Sequence, residues 1–345
     1  MRLWDACEID SHVVIVGSFL NMAYSVLSFN LRNIYDSARL DRDWDAIAKI
    51  IRDERADVVA VQEIFSDLPM KLLCWRLNGG FLSDWRYRMV SRQTCGNDRG
   101  EGYAFLWNAR RVDLAPKTRS NEDGKQTIVG WHEPEIRTEW SRSIMRPPCV
   151  ARFVPVGWCV PFVELRVITT HIIFRENKYL HDRGNELSDM DLRREEYRAL
   201  SARLFPRVGK DRSEGSFRPA YTFIVGDYNL SWVDCAKIDA EYKSEVGYMR
   251  TRQILGSTIY PGKDEKDPGG YTENDYDHVS YSDREHPYVQ IVERIDAPDR
   301  YYESNFKKYQ KRMSDHVPIK MLFDVRHVNP EPISTTVVQN EGDVR

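Results

Sequence analysis

The sequence predicts an α/β fold of four layers, two packed β-sheets with helices on their outer faces. Short apolar runs of strand length recur from residue 24 to residue 325, while amphipathic helical segments are few and fall between some of those runs. No stretch rich in Pro, Gly and Ser divides the chain, and no internal repeat interrupts it. With 345 residues, 41% hydrophobic and 30% charged, the chain can bury a large core, and layered α/β folds reach this length as one domain. We expect a single domain over residues 1–327. Residues 328–345, VNPEPISTTVVQNEGDVR, form a polar tail with the composition of a disordered segment.

The elements follow in order. YSVLSFN (24–30) reads as a strand that ends in Asn30. In DRDWDAIAKIIRDERA, Trp44, Ile47, Ala48 and Ile51 share one helical face opposite charged positions, the pattern of an amphipathic helix. DVVAVQE (57–63) is a strand ending in Glu63, and Leu68 to Leu77 reads as a second helix. GYAFLWN (102–108), CVARFVPV (149–156) and FVELRVITTH (162–171) are strands, the last ending in His171. ELSDMDLRREEYRALSARLF (186–205) reads as a third helix. TFIVGD (222–227) is a strand ending in Asp227, and two-residue alternation would project Asn229 to the same side and Tyr228 inward. DHVSYS (277–282) starts at Asp277, and HVPIKMLFDV (316–325) starts at His316 directly after Asp315.

Composition excludes several classes. A net charge of −3, from 50 basic and 53 acidic residues, gives no sign of the basic domain that tight electrostatic nucleic-acid binding demands. A nuclease stays compatible, because metal ions can neutralise phosphate locally. Cys7, Cys74, Cys95, Cys149, Cys159 and Cys235 are scattered without a CxxC pair, so buried free thiols are expected rather than disulfides or a zinc knuckle. The opening MRLWDACEIDSHVVIVGSFL has acids where a signal peptide needs a basic start, and no apolar run approaches the ~20 residues of a membrane span. A cytoplasmic protein is the expectation. There is no G-x-S-x-G elbow, no Walker motif and no dinucleotide-binding glycine motif.

Polar residues fall at the ends of the apolar strands. Singly each has a bland explanation: Asn30 as a turn former, His171 as a structural histidine, GDYN as a turn, SDH as a cap. Glu63 is the least ordinary, since a carboxylate leaving an apolar run needs a partner, a metal or solvent. Together they have the chemistry of a phosphodiester site. Glu63, Asp227, Asn229 and Asp315 are hard oxygen donors of the kind Mg²⁺ takes, and His171 and His316 can transfer protons near neutral pH. No cysteine accompanies the histidines, which disfavours a soft metal.

LSFNLRN, VVAVQE, GEGYAFLWNARRV, RPPCVARF, ITTH, VGDYN, YDHV and SDHVPI, in this order, resemble the endonuclease/exonuclease/phosphatase superfamily and within it the DNase I-like nucleases. The resemblance spans about residue 24 to residue 325. It implies an α/β/β/α sandwich with mostly antiparallel sheets. It implies Glu63 as the main Mg²⁺ carboxylate (Mn²⁺ or Ca²⁺ as substitutes) with Asn30 beside it, and Asp227 and Asn229 as the pair holding attacking water and phosphate. Asp315 resembles the family's metal-associated or water-orienting acid. His316, oriented by Asp277, and His171, paired with Glu101, resemble the two catalytic imidazoles, and Arg146 resembles an arginine on the scissile phosphate.

The activity so implied is Mg²⁺-dependent endonucleolytic hydrolysis, with nucleic acid, DNA foremost, as the partner and no partner protein. A phosphatase or phosphodiesterase of the same fold acting on a phosphoinositide, a sphingolipid headgroup, RNA or a nucleotide is the alternative. A non-catalytic binding module is a third reading, opposed by the filling of every expected metal and imidazole position. The sequence departs from the family at Phe65, where DNase I-type enzymes carry an arginine that enters the minor groove. In the segment 174–205, HDRGNE reads first as a solvated loop and second as a specificity element, and 261–277 is a segment that could shape the cleft. The disulfides of secreted members have no counterpart, although Cys95 falls near a similar loop.

Overall fold

A computed structural model of the chain describes residues 22–37, 41–79, 83–91, 100–120, 126–139, 144–157, 163–174, 188–211, 220–241, 243–244, 247–262 and 270–325. Cys95, HDRGNE, part of the 261–277 segment and the 328–345 tail lie outside the described residues. Seven strands position the site: β1 (Met22–Ile34), β2 (Val58–Ile64), β3 (Gly102–Asn108), β4 (Glu164–His171), β5 (Ala220–Asp227), β6 (Asp277–Ser282) and β7 (Ile319–Val325).

They fall into two sheets. One has six strands in the order Val289–Arg294, β7, β1, β2, β3, Trp85–Ser91. The other has eight, running Lys243–Ser244, Gly247–Thr251, β6, β5, β4, Cys149–Pro155, Val112–Leu114, with Glu135–Ile136 beside Cys149–Pro155. Strand pairing is antiparallel throughout both sheets except for β1–β2 and β4–β5.

The exceptions matter. In an antiparallel pair the carboxyl ends of neighbours point opposite ways, whereas a parallel pair delivers both to the same rim. Asn30 therefore lies level with Gln62, one residue before Glu63, and His171 lies level with Asp227. Asp277, at the start of antiparallel β6, lies opposite Asp227 on the other side.

Alternation along each strand builds the layers. Val26, Val58, Phe105, Val167 and Phe223 meet between the sheets in one apolar cluster. Their neighbours Leu27, Val59 and Leu106 face the helices α1 (Trp44–Asp53) and α2 (Asp67–Leu77), packing on Trp44, Ile47 and Leu73. Ile168 and Ile224 face outward on the other sheet against Tyr197 of α3 (Asp189–Ala199) and Cys235 and Ile238 of α4 (Trp232–Glu241). Strands buried on both faces read in sequence as unbroken apolar runs. Asp43 caps α1 by accepting from the Ala46 N–H at 3.0 Å, so the helix starts inside its acidic leader. No helix among the described residues is long and apolar enough to cross a membrane.

Several boundaries differ from the sequence reading. β1 runs past Asn30 to Ile34 and β2 past Glu63 to Ile64, so both side chains leave from within a strand rather than from its last residue. The helix expected over 186–205 begins at Asp189, passes through a π-helical turn at Leu200–Leu204, and continues as Phe205–Lys210. The irregular turn falls just ahead of Pro206, whose ring and missing N–H are incompatible with a regular helix interior. The last strand begins at Ile319 rather than His316, because Pro318 cannot donate to a ladder. His316 instead makes an isolated bridge with Thr258. One glycine is required where the strands meet the site. Gly226 has φ +141°, and a Cβ there would lie 2.0 Å from the Thr170 carbonyl oxygen of β4. This close approach sets Asp227 against His171.

Candidate active site

Irregular backbone at the strand ends turns the polar side chains toward one another. The β2–β3 register shifts between Val61 and Ile64, and Glu63 within that bulge stands at φ +61°. The β1–β2 register shifts between Asn30 and Ile34, and Arg32 and Asn33 stand at +54° and +53°. Non-glycine residues in the left-handed region cost free energy, and such strain collects where a side chain must be aimed. Here the bulges bring the Asn33 N–H to Glu63 Oε2 at 2.9 Å while Asn30 Nδ2 donates to Glu63 Oε1 at 3.0 Å.

The same Asn30 amide donates to Asp227 Oδ2 at 3.1 Å, joining the two sheets across the cleft. Asp227 is where the two histidines meet. His171 Nε2 lies 3.6 Å and His316 Nε2 lies 3.5 Å from that one carboxylate oxygen. Each ring is held from behind by its own acid: Nδ1 of His171 is 2.5 Å from Glu101 Oε1, and Nδ1 of His316 is 2.7 Å from Asp277 Oδ2. With each Nδ1–H donating to a carboxylate, both Nε2 atoms are turned to the centre. All five of these groups are buried.

Burial and the Arg146 charge push the His171 pKa down, but Glu101 and Asp227 outweigh them and raise it. Burial likewise opposes protonation of His316, and Asp277 with Asp227 raises it well above the ordinary histidine value. Asp227 is itself raised, first by burial, although both histidines pull it down. The centre thus pairs proton-holding imidazoles with a carboxylate of enhanced basicity.

Arg146 reaches over the His171 ring, its Nη1 lying 2.7 Å from Nε2, 2.9 Å from Nδ1 and 3.5 Å from Glu101 Oε2. With Nδ1 committed to Glu101, Nε2 is the ring nitrogen that faces both Arg146 and Asp227. Asp315 is half-buried at the rim, 3.2 Å from Arg32 Nε and 4.0 Å from His316 Nε2. Asn229 stands close by, but for a different reason from the one alternation supplies. β5 ends at Asp227, and Asn229 is at φ +49°, so a turn and not the pleat brings it round. Its N–H donates to Asp227 Oδ1 at 2.9 Å and its Nδ2 to the Ile172 carbonyl at 2.8 Å. Tyr228 points inward and is fully buried.

All ten residues singled out from the sequence are therefore joined in one network of contacts around Asp227. Sequence reading passed over the groups that hold them. Ser314 Oγ donates to the Asn30 carbonyl at 2.6 Å and accepts from the His316 N–H at 3.1 Å. Tyr103 Oη accepts from the His171 N–H at 3.2 Å. On α3, Arg193 and Glu196 lie on the stripe that also carries Tyr197 and Leu200, and charges on an apolar helical stripe were the available signal. Phe65 carries no cation into the cleft; its ring stacks on Tyr35 with centroids 4.4 Å apart and planes at 20°.

Among the described residues no group of three or more acidic, histidine or cysteine side chains forms a closed metal cage. Mg²⁺ needs none, since it is ordinarily held by one or two carboxylates together with water and substrate phosphate oxygens. The donors here fit that habit. Glu63 is a partly exposed carboxylate fixed by two N–H donors, Asp227 and Asp315 add carboxylate oxygens, and the side-chain amides of Asn30 and Asn229 carry the remaining hard oxygen atoms.

A sequence model described as "Endonuclease/Exonuclease/phosphatase family" matches residues 27–316. No curated protein matches the sequence. Among solved structures, the chain is similar to an endonuclease/exonuclease/phosphatase family protein from Bacteroides thetaiotaomicron, with 18% identity and a TM-score of 0.56, covering 90% of this chain and 98% of that one. It is also similar to a mannosyl-6-phosphatase of Bacteroides thetaiotaomicron VPI-5482, with 17% identity and a TM-score of 0.52, covering 86% of this chain and 98% of that one. At such identities the likeness is one of fold: a mixed α/β architecture with two large sheets.

Proposed function

The chain belongs to the endonuclease/exonuclease/phosphatase family, whose members hydrolyse phosphoester bonds, and from that premise we propose that it is a divalent-metal-dependent phosphodiesterase that cleaves DNA internally. The observation that carries the reading is the convergence of two acid-backed imidazoles on Asp227 Oδ2. A phosphodiester demands proton management at two oxygens, one attacking and one leaving, and two imidazoles flanking a carboxylate suit that demand.

Hydrolysis breaks one ester P–O bond and forms another from water. Asp227, its basicity raised by burial, orients the attacking water and accepts its proton. His316, kept protonated by Asp277 and Asp227, donates to a non-bridging phosphate oxygen. Arg146 brings a fork of donors to the developing charge, exchanging its His171 contact for the phosphate. His171, backed by Glu101, delivers the proton that the leaving oxygen needs. The amides of Asn30 and Asn229 hold the water and phosphate in register. A hard cation (Mg²⁺, with Mn²⁺ or Ca²⁺ as substitutes), held by Glu63 with Asn30, Asp315, Asp227 and Asn229 supplying further oxygen atoms, would neutralise phosphate charge.

One observation favours a second reading. Phe65, at the sequence position where the resembling nucleases carry an arginine that enters the minor groove, stacks on Tyr35 instead, so duplex insertion loses its cation. A smaller phosphoester of the same chemistry would not need one. Supercoiled plasmid, single-stranded DNA, RNA, a nucleotide, inositol phosphates and sphingomyelin, each offered with Mg²⁺ or with EDTA, separate the readings. We expect plasmid nicking with Mg²⁺ and none with EDTA. Metal-dependent turnover of a small phosphoester alongside intact DNA would move the assignment to the second reading, and no turnover anywhere would end both.

A further inference from the structure

Two charged side chains deep under α3 touch the backbone around the site, not its chemistry. Glu196 is fully buried, and its two oxygens accept from main-chain N–H groups on separate segments: Arg146 N at 2.9 Å and Ile173 N at 3.3 Å. One turn earlier Arg193, also buried, donates from Nε at 3.1 Å and from Nη2 to the Phe174 carbonyl, and from Nη1 at 3.0 Å to the Asn229 carbonyl. Its guanidinium also lies over the Phe174 ring, 4.4 Å from the centroid.

The targets are not random. One is the backbone of Arg146 itself, one is the backbone of Asn229 itself, and the others are the two and three residues that follow His171. A tie that merely fastened a helix to a sheet could land anywhere along α3. Charged groups are also a costly way to fill a helix–sheet contact. Burial raises the Glu196 carboxyl to about 7, so the folded chain resists ionising it between the ordinary value of 4.5 and that point. Its contribution to stability is therefore greatest below 4.5 and is lost as pH rises to about 7, the opposite of a salt-bridged acid. An apolar residue would carry no such penalty.

We propose that Arg193 and Glu196 are positioning residues of the hydrolytic site, jointly fixing the three backbone segments that present Arg146, His171 and Asn229 to the phosphate. The proposal rests on the phosphodiesterase reading for its catalytic consequence and on the hydrogen bonds alone for its structural one. It makes α3, which contributes nothing to the chemistry, the element that holds the β4 and β5 ends and the Arg146 loop in one arrangement.

The test uses the full chain with Glu196→Leu, Glu196→Gln and Arg193→Lys, and bis(p-nitrophenyl) phosphate with Mg²⁺ as the probe. Misplacement of catalytic groups by about an ångström predicts that Glu196→Leu lowers kcat on the order of 10²-fold. Removal of interactions realised in the transition state predicts that KM stays within about three-fold. Glu196→Gln, whose amide oxygen accepts one of the two N–H groups, should recover part of the loss. Combining Glu196→Leu with Arg146→Ala should cost less than the product of the two single losses, since part of the Glu196 effect runs through Arg146 and the rest through the segment after His171. Amide hydrogen exchange is read in parallel, and the Arg146 and Ile173 amides should lose protection in Glu196→Leu. Unchanged protection at both amides overturns the proposal whether or not the protein is active. In an active protein, an unchanged kcat or fully additive losses with Arg146→Ala overturns it too. Absence of wild-type turnover strikes the phosphodiesterase reading instead, and the exchange experiment still decides whether the clamp exists.

Discussion

Asp227→Ala is expected to lower turnover about a thousand-fold, within the range associated with loss of a proton-transferring group. It should leave the melting temperature close to that of the wild type. Asp227 is the one carboxylate that both Nε2 atoms face, and it also orders Asn30 and Asn229. Removing it takes away the proton acceptor and the shared contact of both imidazoles. Its loss should nonetheless be tolerated by the fold, because burial already works against its charged form. Steady-state kinetics and thermal melting on the same preparation check this, and full turnover in Asp227→Ala would refute the role given to it.

Tyr228→Ala, one residue away, is expected to do the reverse, costing about 3–5 kcal/mol of stability as large-to-small core changes at aromatic positions do. Tyr228 is fully buried in the cluster beneath α3 and α4, packed on Tyr197 with ring centroids 5.2 Å apart and on His278 at 5.3 Å. Its hydroxyl donates to the Ile224 carbonyl at 3.1 Å and shares a second hydrogen bond with Ser280 Oγ at 3.0 Å. Tyr228→Phe should cost about 1–2 kcal/mol, the typical worth of a buried hydrogen bond. Denaturant unfolding of the three proteins measures both. A Tyr228→Ala midpoint equal to the wild type would mean that the strand end does not divide into a packing residue and a chemical one.

That division was legible in sequence, though partly for the wrong reason. The strands of both sheets announce themselves because burial on two faces makes them continuously apolar, and Glu63, His171 and Asp227 stand out as polar ends of such runs. What periodicity does not reveal is that β1–β2 and β4–β5 pair in parallel, and that pairing is what brings those ends to one rim. Nor does it reveal the left-handed residues. Glu63 and Asn229 are aimed by left-handed backbone residues, and strand alternation plays no part in placing Asn229. The pairing of Glu101 with His171 came from family resemblance, since no spacing rule links residues so far apart in the chain. Arg193 and Glu196 escaped notice within DLRREEYR, a run whose charges look solvated until the helix is docked. Pro318 and Pro206 moved element boundaries for local reasons that sequence does carry.

As proposed, the His171 and His316 dyads serve a single phosphodiester-cleaving centre. Nicking of supercoiled plasmid in Mg²⁺ by the wild type, His171→Ala and His316→Ala decides whether they do. Open-circular product is expected from the wild type, with a rate lower by about 10²–10⁴-fold from either variant, the range for loss of a general acid or base. Equal nicking by all three proteins would leave neither dyad a part in the cleavage.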